Sequence, residues 1–205
     1  ALECTSRYES ASHLYERVID EVGPRQASDS VPQQQLDSIL ATAYFRLAYT
    51  ANRFFDYDRA VQNYRTLADS QRFQRSTDPQ MPGRRTDALI NAARILEFQQ
   101  DYTHATEYYR RVTDALASAT DADSVSTRRT AFYRIAEMSY SRHDWNGTIR
   151  DMQAFIDRYR SDSGAGELVV QVPPRALVDL TWAVGSTSGS DGDKFEHLGI
   201  ATSPA

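Results

Sequence analysis

Lysine is nearly missing from this chain: Lys194 stands alone against 22 arginines. One reading is a supply of guanidinium forks for an acidic partner. The other is the codon bias of a GC-rich genome, favoured because the arginines run along the whole chain. Cysteine is as scarce. Cys4, by itself, excludes an internal disulfide framework and any multi-cysteine zinc site. No apolar run approaches the roughly 18 residues needed to cross a bilayer, so the sequence contains no membrane span. An excess of positive charge is also lacking. The formal net charge of −5 disfavours nucleic acid and anionic membranes as partners. What is present is 40% apolar residues in 205, enough for a packed core and too many for a disordered chain.

Self-similarity organises the middle of the chain. Residues 41–68, 86–113 and 129–156 align without internal gaps. Tyr57, Tyr102 and Trp145 correspond, as do Ala60, Ala105 and Thr148, and Tyr64, Tyr109 and Met152. Each unit reads as two amphipathic helices. In the first unit Tyr44, Leu47, Ala48 and Ala51 share one helical face, and Tyr57, Ala60, Val61, Tyr64 and Leu67 share another. Short turns separate the paired helices: Phe54-Phe55-Asp56, Gln99-Gln100-Asp101 and Arg142-His143-Asp144. The aspartate ending each turn predicts an N-cap for the second helix. Ala48, Ala93 and Ala136, with Ala60 and Ala105, are small enough for two helix backbones to approach closely.

This pattern resembles the tetratricopeptide repeat. The first unit matches it with Tyr44, Leu47, Ala48, Tyr57, Ala60 and Tyr64, and the second with Leu89, Ala93, Tyr102, Ala105 and Tyr109. The third matches with Phe132, Ala136 and Trp145, while Thr148 and Met152 depart from the preferred types. The resemblance implies an all-α fold: a right-handed solenoid of antiparallel helix pairs. The expected array covers residues 1–184, with full repeats at 36–70, 84–118 and 127–160. Partial repeats are expected at 6–22 and 174–184, followed by a flexible polar tail or linker at 185–205. The step between units exceeds the usual repeat of about 34 residues. The excess reads as loops at 71–85, 119–127 and 161–174. Half repeats leave apolar faces open, so the chain is expected to be a piece of a longer protein or to sit against a neighbour.

Residues 128–159 further resemble units of bacterial cell-envelope tetratricopeptide proteins, such as outer-membrane-assembly lipoproteins and Tol–Pal coordinators, and residues 18–24 share that style. This leans the expected compartment toward the periplasm or outer-membrane-associated envelope of a Gram-negative bacterium. Residues 1–20 show no signal peptide, and Ala1-Leu2-Glu3-Cys4 has Glu3 where a lipoprotein cleavage site wants a small residue.

Candidate chemistry is thin. Cys4 has no visible base partner, and His13, His104, His143 and His197 fall on different repeat positions. Asp121-Ala122-Asp123 and Asp191-Gly192-Asp193 lack the alternating oxygens and terminal glutamate of a calcium loop and read as polar loop. Gly164-Ala165-Gly166 has no following lysine and is no phosphate loop; Asn146-Gly147-Thr148 is a sequon lying where a helix begins. No enzyme activity, cofactor or metal is therefore expected.

The resemblance instead implies a concave face lined by the first helices. Mapped onto this chain, it collects Thr42, Phe45, Tyr49 and Asn52; Asp87, Ile90, Arg94 and Glu97; and Thr130, Tyr133, Glu137 and Tyr140. The partner-binding candidates are Phe45, Tyr49, Asn52, Arg94, Glu97, Tyr133, Glu137 and Tyr140. Asn and Arg can bond a peptide backbone or carboxylate, and the aromatics supply apolar area. The same aromatics could instead pack against a neighbouring element of the chain. With lysine absent from the array, a dicarboxylate clamp is not expected. The expected function is binding of a protein segment in the groove. The rival is a structural subunit packed permanently in a larger assembly.

Overall fold

A computed structural model describes residues 2–28 and 31–159 of the chain. These form eight helices: α1 (Leu2–Val22), α2 (Gln33–Arg53), α3 (Tyr57–Asp69), α4 (Gln71–Gln74), α5 (Met81–Phe98), α6 (Tyr102–Ala115), α7 (Ala122–Ser141) and α8 (Trp145–Tyr159). The loop expected at 161–174, the partial repeat at 174–184 and the tail at 185–205 lie outside the described residues, as do Lys194 and His197. The chain divides into two compact units, Ala1–Ala115 and Leu116–Ala205. In the first, α1 packs on α2, α3 lies against both α2 and α5, and α6 packs on α5. In the second, α7 pairs with α8.

Three-residue turns make the helix pairs antiparallel. After α2, the Phe55 N–H donates to Asn52 O (3.2 Å) and the Asp56 N–H to Ala51 O (3.0 Å). These two bonds define a Schellman motif, whose middle residue is left-handed. Phe55 accordingly has φ of 65°. Asp56 then starts the next helix, its carboxylate accepting the Arg59 N–H at 3.3 Å. The construction recurs at Gln100-Asp101 and His143-Asp144, with φ of 63° and 59° at Gln100 and His143. The Asp101 carboxylate accepts the His104 N–H at 3.2 Å. At the third turn the Gly147 N–H donates to Asp144 Oδ1 at 2.9 Å. A Cβ on Gly147 would collide with that carboxylate.

A side chain in the left-handed region costs about 1 kcal/mol or more, which glycine avoids. Replacing exposed Gln100 by glycine should therefore stabilise the fold by about 0.5–1 kcal/mol, after allowing for the freedom glycine adds to the unfolded chain. The urea midpoint should rise; a fall would show that Gln100 is not strained there.

The caps also predict an acid response. Partial burial raises the Asp101 carboxyl, but the His104 ring (2.6 Å) and backbone N–H outweigh it and leave the pKa below the usual carboxylate value. A depressed native pKa means stability that is complete above the unfolded value and lost as pH falls through the native one. Loss should begin below about pH 4. An NMR titration should find Asp101 low in the wild type and higher in His104→Gln. An unchanged value in that variant would remove His104 as the cause.

The cores follow from the small residues. Ala48, Ala60, Ala93, Ala105 and Ala136 have no exposed surface. Thr148 (1% exposed) and Met152 (7%) fill the third pair's equivalent places. Thr148 stays there because its hydroxyl donates to Asp144 O at 2.8 Å, leaving no unsatisfied polar group.

Two connectors are shorter than the composition indicated. Residues 71–85 are not one loop: α4 takes a turn that buries Phe73, and α5 starts at Met81. Pro82 stands in the first turn of α5, where its missing N–H costs no helical bond. Asp78 is buried before that helix, and its Oδ1 accepts the Gln80 N–H at 2.9 Å. Likewise α7 begins at Ala122, inside the polar stretch 119–127. Asp121 is its N-cap, accepting the Ser124 N–H at 2.8 Å, so Asp121-Ala122-Asp123 is a helix start and not a loop.

Arginine forks tie these elements together. Arg72 Nε lies 2.6 Å from Asp37 Oδ1, and an Arg72 Nη donates to Gly23 O, also at 2.6 Å. Arg85 donates twice to Ala68 O at the end of α3, at 3.0 and 2.9 Å. Arg128, its counterpart in the third repeat, donates to Leu116 O (2.9 Å) and Ala117 O (2.7 Å). A cation here meets the carbonyls and the negative end of the helix dipole. Arg111 pairs with Asp69 and Arg59 with Glu16.

Candidate functional site

In the first unit α2 and α5 lie side by side. Arg84 ties them, donating to Ser38 O (3.0 Å) and to the Thr42 hydroxyl (3.1 Å). Tyr49 on α2 is 47% exposed, Arg94 on α5 is exposed, and Asn52 is half-buried. Arg94 makes no ion pair among the described residues. Phe45 is half-buried because its ring stands edge-on to Tyr64, 5.3 Å between centroids. Tyr64 is 1% exposed; burial, and then the neighbouring Tyr49, push its pKa up to about 12. Desolvation holds the Asp87 carboxyl above its ordinary value. Glu97 is half-buried, its Oε2 accepting the Tyr109 hydroxyl at 2.8 Å.

The three candidates in the second unit are engaged within it. Tyr133 is the clearest departure from an open groove, with 2% of its surface exposed. Its ring packs with Ala136, Met152, Phe155 and Tyr159, 5.7 Å from the Phe155 centroid. Burial, and then the Glu137 carboxylate, raise its pKa far above that of an ordinary phenol. Glu137 accepts from Arg134 at 2.9 Å. Tyr140 is half-buried, its ring edge-on to Trp145 at 5.6 Å. Position in the repeat alone cannot distinguish an open ring from a covered one. The aromatics of α8 cover this one.

The structure exposes another surface that the repeat pattern does not mark. Phe55 and Phe98 are 77% and 71% exposed at the turn edge of the first unit. The signal was local: this turn carries Phe54-Phe55 where the others carry Gln99-Gln100 and Arg142-His143.

The described histidines do not converge. His13 pairs with Glu16 (3.3 Å), His104 with Asp101 (2.6 Å), and the His143 ring lies 5.5 Å from that of Trp145. Among the described residues no three His, Cys, Asp or Glu side chains gather as a metal site. No helix among them is long and apolar enough to cross a membrane. The Thr148 hydroxyl of the sequon is buried and bonded within the turn.

Compared with known proteins, no curated sequence and no solved structure matches the chain. The family model described as the tetratricopeptide repeat matches residues 86–115. That span runs from Thr86 in α5, through the Gln100 turn, to the end of α6. Units of this kind generally mediate protein–protein interaction and are typically non-catalytic. Residues 86–115 are thus a tetratricopeptide repeat, and the described residues around it are all-α, built of helix pairs.

Proposed function

We propose that the chain is a non-enzymatic interaction module that binds a protein segment on the α2–α5 face. The observation that carries this reading is the set Tyr49, Asn52 and Arg94. Tyr49 and Arg94 are exposed, and none of the three has a side-chain hydrogen bond or ion pair among the described residues. Tyr49 offers apolar area with a polar tip, Asn52 can pair with a peptide backbone, and Arg94 can fork to a carboxylate. The helices hold these groups in place before binding, which lowers the ordering cost of association.

Selection of peptides from a displayed random library on the immobilised chain tests this. Selected peptides should bind the wild type and lose affinity at least tenfold, about 1.4 kcal/mol, in both Tyr49→Ala and Arg94→Ala. Peptides indifferent to both substitutions would move the interface off this face.

The rival role, a subunit packed within a larger assembly, is favoured by the aromatics Phe55 and Phe98 at the turn edge. A cell-envelope setting rests on the resemblance of residues 128–159. Fractionating cells that carry the tagged native gene tests it, since a purely cytoplasmic signal would reject it.

A further inference from the structure

The turn edge of the first unit is a ladder of rings. Tyr8 stacks on Phe54 at 3.8 Å, Phe55 meets Tyr57 edge-on at 6.2 Å, and Tyr57 meets Phe98 at 5.4 Å. Phe55 and Phe98 are the most exposed of the large hydrophobics among the described residues. Phe55 also carries the left-handed φ of 65°, a conformation unfavourable for a residue with a Cβ. The equivalent places hold polar Gln100 and His143. An exposed phenylalanine is thus kept where the backbone disfavours it and solvent gives it nothing.

In sequence, charges flank the aromatic run of the turn. Arg53 precedes it and Asp58 follows it; both are exposed, and neither makes an ion pair among the described residues. We infer that this edge is a contact between two copies of the chain related by a two-fold axis. A two-fold interface brings a surface onto itself, so the surface must be self-complementary. The run Arg53-Phe54-Phe55-Asp56-Tyr57-Asp58 meets that condition. An axis beside Phe55 sets Arg53 of one copy against Asp58 of the other, twice over, with rings between them. The nearly balanced charge of the edge gives no reason to choose an anionic lipid or nucleic acid. A fully buried aromatic contributes up to roughly 200 Å², so the ladder and its flanks cover on the order of 1,000 Å² in total, near the lower limit of specific interfaces. An interface of this size is expected to be weak, so micromolar concentrations are where it should be sought.

This inference is independent of the peptide-binding face. Sedimentation velocity of the whole chain, from about 5 to 200 µM, should show a monomer–dimer equilibrium. Phe55→Ser with Phe98→Ser should abolish it, and Tyr49→Ala should leave it unchanged. Arg53→Glu alone and Asp58→Arg alone should each weaken the dimer at least tenfold. The two substitutions together should restore it, and an equimolar mixture of the two single variants should associate. Circular dichroism checks that each variant keeps its helices, and the charge exchange still decides the matter if the serine variant does not. A wild type monomeric across the whole range overturns the inference. So does a dimer that ignores Phe55 and Phe98, or a double charge variant as weak as the singles.

Discussion

Arg72→Ala should cost about 3–5 kcal/mol of stability, because it leaves a buried carboxylate without its cation. The Asp37 side chain is 3% exposed and that of Arg72 is 24%. Asp37 also accepts from Gln33 Nε2 at 2.7 Å, but a neutral amide does not compensate a buried charge. Arg72 further holds the Gly23 carbonyl just beyond α1. One side chain on α4 thus ties α1, α2 and α4. Urea unfolding should show the loss as a lower midpoint with an unchanged slope. The double variant Asp37→Leu with Arg72→Met should recover most of the loss, since it removes both charges and fills similar volume. A single variant within about 1 kcal/mol of wild type would mean that water reaches the pair and screens it.

The second large effect separates two tyrosines that occupy neighbouring places in the repeat pattern. Tyr133→Ala should destabilise by about 3–5 kcal/mol, the range for deleting a buried aromatic side chain. Its ring is 2% exposed among Ala136, Met152, Phe155 and Tyr159. Tyr49→Ala should cost far less, about 1 kcal/mol at most, because about half of its surface is exposed and it makes no side-chain hydrogen bond or ion pair among the described residues. Tyr49 is therefore a probe of binding, whereas Tyr133 is a probe of folding. Comparable thermal unfolding of both single variants would contradict the placement of the Tyr133 ring.

These contrasts bear on the functional reading. A tetratricopeptide repeat at residues 86–115 supports interaction with protein in general terms. The α2–α5 face narrows that to an exposed ring, an amide and an unpaired guanidinium. The turn edge adds a separate apolar surface with its own charges. Peptide capture depends on Tyr49 and Arg94, self-association on Phe55 and Phe98. Each can fail without the other.

Local physics made much of this legible from residue order alone. Apolar spacing marked both helices of each pair, because one face of each must leave water. Asp56, Asp101 and Asp144 were readable as caps, because a cap is made with N–H groups only a few residues away. The alanines were readable as close-approach sites, because methyl groups set how near two helices come. Composition misled at residues 71–85, where Pro82 and Gly83 read as loop but open a helix, since proline in a first turn forfeits no bond.

What residue order could not supply is who meets whom at a distance. Arg72 finds Asp37 across 35 positions of sequence, and Arg85 finds Ala68 across 17. Tyr133 and Tyr49 carry the same side chain on first helices, yet one is covered and one is open. Helical periodicity gives each residue a direction but not a neighbour. Tertiary packing supplied the neighbours, because burial depends on what the rest of the chain places over a given face.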